Sequence, residues 1–267
     1  MTDADAITRE ADQATLAAAL RQPVVYGLAA GERIERIETH ISYVFLAGPH
    51  AYKIKKAVDL GFLDFRTLSA RRFYCEEELR LNRRFAPALY LDVVAITGAP
   101  AQPVFGGDGP AIEWAVKMRR FAPDDQLDQL LARDALTPEH IDQLATTIAA
   151  FHDRAARASD ADIFGTPEAI RRPAMDNFAA LRKHGAPADD ITKLEQWTER
   201  QCEQLEPTFR ARRRGGFVRE CHGDLHLRNI AVIDGAITPF DCIEFDPSLR
   251  WIDVMSEVAF LVMDLYD

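Results

Sequence analysis

Residues 222–229 read His222-Gly-Asp224-Leu-His226-Leu-Arg228-Asn229, and twelve residues beyond Asn229 stands Asp241, within Pro239-Phe-Asp241-Cys-Ile-Glu244-Phe-Asp246. An acid, an amide five residues on and a second acid across a short turn can serve one chemistry. One carboxylate handles a hydroxyl proton, while the amide and the second carboxylate hold Mg²⁺ on nucleotide phosphates. No other stretch of the chain is as specific.

The local geometry follows from the residues between. Ile230-Ala-Val-Ile233 and Ala236-Ile-Thr-Pro-Phe240 flank Asp234-Gly235. An Asp-Gly pair between apolar runs signals a hairpin, because a primed turn needs the positive φ that both residues tolerate. A two-residue turn sets Asn229 opposite Phe240; a three-residue loop sets it opposite Asp241. Either way Asn229 and Asp241 meet at the mouth of one hairpin, with Asp224 on the loop that enters it. Pro239 cannot donate to a ladder, which predicts an edge strand or a bulge nearby. Singly, these residues are ordinary loop formers, and His222 reads as a buried histidine bonded to backbone. Asp224, Asn229 and Asp241 together favour the metal and phosphate reading.

The 267 residues are 48% hydrophobic, enough to bury a substantial core. The net charge of −10 argues against nonspecific nucleic-acid binding. With no apolar leader and no run long enough to span a bilayer, a cytoplasmic protein is expected. Cys75, Cys202, Cys221 and Cys242 form no Cys-x-x-Cys pair, so reduced thiols are expected and a structural zinc is not. The cluster Arg210, Arg212, Arg213 and Arg214 reads as a solvated helix end before Gly215-Gly216.

Along the chain, residues 12–21 suit a short amphipathic helix packed on the domain. Segments 41–47 and 51–55 flank a Gly48-Pro49-His50 turn, residues 69–85 suit a helix, and segments 91–97 and 111–118 supply further strands. From about residue 120 the pattern turns helical. Asp124 is expected to cap a helix through Leu127, Leu130 and Leu131, and Thr137-Pro138 to open another through His152. Further helices are expected over 173–184, 187–206 and 252–265. The expected fold is α+β and bilobal: a sheet-rich lobe over 1–119, a mainly helical lobe over 120–267 carrying the hairpin, and a cleft between.

On segment 51–55, Tyr52 and Ile54 face one way and Ala51, Lys53 and Lys55 the other. A lysine beside a small residue suits contact with α- and β-phosphates and needs a carboxylate from a nearby helix. Glu76, Glu77 and Glu78 supply it; Lys53 with Glu78 is preferred, with Lys55 and Glu77 as alternates. Alone, Lys53, Lys55 and Lys56 would read as an edge-strand guard against aggregation.

The motif around Asp224, Asn229 and Asp241 resembles the catalytic loop and metal-binding aspartate of the aminoglycoside phosphotransferase family, the small-molecule branch of the protein-kinase-like fold. More narrowly, Ala51-Tyr-Lys-Ile-Lys-Lys56, Gly61-Phe-Leu-Asp-Phe65 and Asp241-Cys-Ile-Glu-Phe-Asp246 are similar to a bacterial subgroup in which the kinase-like part is often followed by a P-loop ATPase domain. The resemblance implies Asp224 as catalytic base, Asn229 and Asp241 as Mg²⁺ ligands, and Lys53 on the ATP phosphates positioned by Glu78. It implies adenine contacts from the backbone of Met118-Arg119-Arg120, and Asp253 as a brace of the catalytic loop. The implied acceptor is a hydroxyl of a small molecule.

Three departures stand against the family pattern. Glu38-Thr-His-Ile-Ser42 replaces a Gly-x-Gly-x-x-Gly loop, leaving Ser42 or its backbone to meet phosphates. Arg228 precedes Asn229 where glycine is frequent. The chain ends at Asp267 inside an apolar helix, where related proteins continue with helices that line the acceptor site. No Gly-x-x-x-x-Gly-Lys-[Ser/Thr] occurs, so a P-loop ATPase would be a separate domain or partner chain. Two other readings compete: a nucleotide-binding pseudokinase or regulatory module without turnover, and a metal-dependent hydrolase using His222, Asp224 and His226.

Overall fold

Alternating side chains on segments 42–47 and 50–55 organise the first half of the chain. The structure, a computed structural model, describes residues 8–185 and 187–266. After α1 (Glu10–Ala19) come β1 (Glu35–Glu38), β2 (Ser42–Ala47), β3 (His50–Lys55), α2 (Leu68–Asn82), β4 (Tyr90–Ala99), β5 (Gln102–Phe105) and β6 (Glu113–Arg119). The strands form one antiparallel sheet in the order β1-β2-β3-β6-β4-β5. Ala47 pairs with His50, so the turn between β2 and β3 is Gly48-Pro49, and His50 belongs to the strand.

Both faces of this sheet are covered, which is why β3 is buried from Ala51 to Lys55. On one face Leu16, Ala17 and Leu20 of α1 pack with Phe45, Tyr52, Ile54, Ile96 and Ala115. On the other, Cys75 of α2 packs with Leu89, Tyr90, Val116, Ala231 and Ile233. The alternation that sends Tyr52 and Ile54 toward α1 turns Lys53 and Lys55 toward α2. Thr67 starts α2 by accepting the Ala70 N–H at 3.2 Å.

The chain divides into two compact units. One runs to Ala145 and takes in His226–Asp246; the other comprises Thr146–Leu225 and the chain from Pro247 onward. The first therefore holds the sheet, α3 (Leu127–Ala132) and the hairpin of β8 (Ile230–Ile233) and β9 (Ala236–Pro239). Ile233 pairs with Ala236, so the turn is the two-residue Asp234-Gly235, with φ of 52° and 78°. Asp124 does not cap α3. It lies in a 3-10 turn, Pro123–Asp125, and the extended N-cap is Gln126. Thr137 caps α4 (Pro138–Arg154), its hydroxyl accepting the His140 N–H.

The other unit contains α5 (Pro167–Lys183), α6 (Ala188–Arg214), β7 (Val218–Glu220), α7 (Pro247–Arg250), β10 (Trp251–Asp253) and α8 (Val254–Tyr266). Two helices outrun their expected bounds through an internal proline, Pro173 in α5 and Pro207 in α6. Each proline removes one intrahelical bond, and side chains hold the turns beyond it. Arg210 and Arg214 are exposed as a solvated helix end would be, but Arg212 and Arg213 between them are not. Arg212 grips both oxygens of Asp253 at 2.7 and 2.8 Å, and Arg213 donates to the carbonyls of Phe164, Ser159, Asp160 and Asp162. Gly216, at φ 75°, ends α6 with the Phe217 N–H bonded to the Arg212 carbonyl. No helix among the described residues is long and apolar enough to cross a membrane.

Candidate functional site

Lys53 and Lys55 leave the same face of β3 two residues apart, and Glu78 of α2 meets both. Glu78 Oε2 accepts from Lys55 Nζ at 2.7 Å, and Oε1 lies 2.9 Å from Lys53 Nζ. The Lys53 contact is an ion pair without hydrogen-bond alignment, since Oε1 is buried and lacks a hydrogen-bond partner. Lys53 instead hydrogen-bonds Asp241 Oδ1. Burial opposes the Lys53 charge, but Asp241, Glu78 and Glu244 outweigh it and hold the ammonium well above its ordinary range. Glu77, the alternate partner, is occupied with Arg80 at 2.9 Å.

The hairpin brings Asn229 and Asp241 to one end. The Phe240 N–H donates to the Asn229 carbonyl at 2.9 Å, so Asn229 faces Phe240 and Asp241 follows directly. Asp241 has φ 63°, a left-handed conformation that aspartate tolerates better than most residues. It is pinned there: its N–H donates to Tyr90 Oη at 3.1 Å, and the next N–H, of Cys242, donates to Asn82 Oδ1 at 2.9 Å. The Asp241 side chain remains 41% exposed, whereas Asn229 is buried. A half-open carboxylate beside an amide offers the hard oxygen donors that Mg²⁺ takes.

Asp224 belongs to the other unit, half-buried, its N–H 3.3 Å from His222 Nδ1. The loop before it is held by Glu257 of α8. Glu257 Oε1 accepts the His222 N–H at 2.5 Å and the Gly223 N–H at 2.9 Å, and Oε2 meets His152 Nε2 at 2.7 Å. Burial pushes the Glu257 carboxyl up, but the hydrogen bond from His152, the His222 charge and the Gly223 N–H bring it below its ordinary value. The brace expected of Asp253 thus falls to Glu257; Asp253 holds Arg212 and the Met255 N–H. Glu257 and Leu261, one turn apart, are the buried residues of α8, and an acid on that face was the available signal.

Two expected nucleotide contacts have other duties. Ser42 is buried, and its hydroxyl pairs with Thr39 Oγ1 at 2.9 Å, closing the turn between β1 and β2. Met118 lies between β3 and β4, and the N–H groups of Arg119 and Arg120 donate to the carbonyls of Leu89 and Pro49. Arg119 also pairs with Asp234 of the hairpin at 2.7 Å.

Against these observations stand the similarities to known proteins. No family profile matches the chain. Uncharacterized proteins of Mycobacterium tuberculosis and Mycobacterium bovis are 33% identical over 234 residues, covering 85% of this chain and 45% of theirs. The chain therefore spans less than half the length of these relatives. An ADP-bound aminoglycoside phosphotransferase crystal structure superposes with a TM-score of 0.40 at 13% identity, over 85% of this chain and 69% of that one.

The described metal-ligating side chains that gather within 4.8 Å are His152, Cys221 and Glu257, rather than the set His222, Asp224 and His226. Both Glu257 oxygens are already engaged with His152 and the loop backbone, so this group works as a brace. The other residue the motif did not reveal as a participant is Glu244. It is buried against Lys55, and an acid inside Cys242-Ile-Glu-Phe245 was its one sequence signal.

Proposed function

We propose that the chain is an ATP- and Mg²⁺-dependent phosphotransferase that moves the γ-phosphoryl group to a hydroxyl of a small molecule. The observation that carries this reading is Lys53 shared between Glu78 and Asp241. A buried strand lysine set by a helix carboxylate, next to an exposed hairpin carboxylate, suits phosphate binding beside a metal. Asn229 and Asp241 would hold Mg²⁺, which supplies charge neutralisation on the phosphates. Lys53, already 2.9 Å from Glu78 Oε1, would bind the phosphates, and Asp241 would then be available as a metal ligand. Asp224 accepts the hydroxyl proton, and Glu257 fixes the backbone that carries it. Catalysis of this kind comes from positioning and charge stabilisation, without a covalent enzyme intermediate.

Adenine would then rely on the carbonyls of the segment 118–120 and the residues after it, since the two amides there are occupied. The reading divides the chain near residue 119 into a sheet-rich lobe and a helical lobe that carries the catalytic loop, and puts the protein in the cytoplasm. A P-loop ATPase domain or chain is the proposed partner.

Thermal stability with and without MgATP tests the reading. Saturating nucleotide stabilises the folded chain by mass action where a site exists, by about 2.7 kcal/mol at a hundred times Kd, and so raises the midpoint. The expected result is a Mg²⁺-dependent rise in the wild type that Asp241→Ala removes. A well-folded wild type without any rise would overturn it. A rise without turnover over a broad panel of hydroxylated acceptors would point to a regulatory nucleotide-binding module.

A further inference from the structure

The second lysine on β3 takes no part in the chemistry above, yet it is the more deeply buried. Lys55 is 1% exposed, Glu78 0% and Glu244 4%. Lys55 Nζ bonds Glu78 Oε2 at 2.7 Å and Glu244 Oε1, and lies 5.2 Å from the centre of the Phe65 ring. An ammonium enclosed by two carboxylates and an aromatic face has no alternative partner and no route to water. Lys53, itself buried at 8% exposure, differs in its partners: its hydrogen bond goes to Asp241, whose side chain is 41% exposed, and its contact with Glu78 Oε1 is unaligned. One lysine is therefore locked and the other is poised.

Glu244 stands three residues after Asp241, on the segment whose Cys242 N–H bonds Asn82 of α2. The Asn82 amide in turn donates to the Glu78 carbonyl at 2.9 Å. The segment after β9 is thus tied to α2 twice, once through Asn82 and once through Lys55. Resting on the phosphotransferase reading, we propose that Lys55 and Glu244 are positioning residues. The pair clamps Glu78 on one side and the Asp241–Glu244 segment on the other, so that Lys53 moves between Asp241 and a phosphate while its two carboxylate partners stay fixed. The site is then assembled before nucleotide arrives, without a separate step that swings α2 into place.

The test replaces the pair by apolar side chains of similar length, Lys55→Met with Glu244→Met, because a buried ion pair can often be exchanged for packed hydrophobes without loss of fold. Affinity is measured by calorimetry with MgATP, and with ATP in EDTA. If the pair only fills the core, the double variant binds as the wild type does, and the proposal is overturned. If it positions the metal and phosphate groups, MgATP affinity falls roughly 10–100-fold, the range for residues that orient a metal ligand. Binding in EDTA then changes less.

A wild type that binds no MgATP overturns the function and the proposal together, whereas a defect confined to the double variant leaves the function standing. Should the double variant not fold, Glu244→Gln replaces it, read by hydrogen exchange at the Cys242 amide. Faster exchange there, with β4 and β6 unchanged, is the expected result; unchanged exchange at Cys242 would overturn the clamp.

Discussion

Glu257 Oε1 lies 2.9 Å from the Gly223 nitrogen, so a helix carboxylate holds the residue that immediately precedes Asp224. The same carboxylate serves the His222 N–H and His152. Glu257→Ala strands these donors in a buried setting, and each unsatisfied group costs about 1–3 kcal/mol. The expected loss is therefore at least roughly 3 kcal/mol in urea unfolding. Under the proposed function, turnover also falls in the variant at concentrations where it remains folded. Stability within about 0.5 kcal/mol of the wild type would remove Glu257 from this role.

Acid titrates the same brace. Because the folded Glu257 carboxyl sits below its ordinary value of 4.5, its contribution is fully present above that value. It disappears as pH falls through the lower folded value, since the unfolded chain then binds the proton more readily. Melting midpoints measured from pH 6 downward should fall for the wild type. In Glu257→Gln, which cannot titrate, the fall should be shallower. Parallel curves would show that other carboxylates govern the acid limb.

Gly223 itself has φ 89°, and a Cβ there would stand 2.9 Å from the Leu249 carbonyl oxygen. Both the left-handed backbone and the close approach to main chain oppose any side chain. Gly223→Ala should destabilise the protein by about 1–3 kcal/mol from backbone strain, with the clash in addition. Gly235 has a similar φ of 78° but open space around its Cβ position, so Gly235→Ala should show the smaller loss. The difference between the two, read by urea unfolding, isolates the close approach from the strain.

How much of this was legible depends on range in the chain. The β2–β3 hairpin and the two faces of β3 followed from alternation, and the Asp234-Gly235 turn from its own φ requirement, because each is decided by neighbouring residues. The fold class followed from the order of such segments. β7 and β10 do not show in the pattern because three residues are too few for a period, and their partners lie far apart in the sequence. On the strand Lys53 and Lys55 share one face, with Lys53 the preferred phosphate contact and Lys55 its alternate. The arrival of Glu244 at Lys55, 189 residues away, and of Asp241 at Lys53 distinguishes them. Arg212 and Arg213 read as solvated for the same reason: their partners, Asp253 and the carbonyls near residue 160, lie far away in the chain.

The two lysines should accordingly separate in experiment. Lys55→Met leaves Glu78 and Glu244 facing each other in the interior with one ammonium fewer, and breaking a buried pair from one side costs about 3–5 kcal/mol. At about 2–4 °C per kcal/mol for a chain approaching this size, the midpoint should drop by roughly 10 °C. Lys53→Met removes a buried charge whose partner Asp241 still reaches water, and should cost less stability than Lys55→Met. Its effect should appear instead with MgATP, as loss of the nucleotide-dependent rise that Lys55→Met partly retains. Equal midpoints for the two variants would contradict the division between a locked and a poised lysine. A full nucleotide response in Lys53→Met would remove that residue from the phosphates.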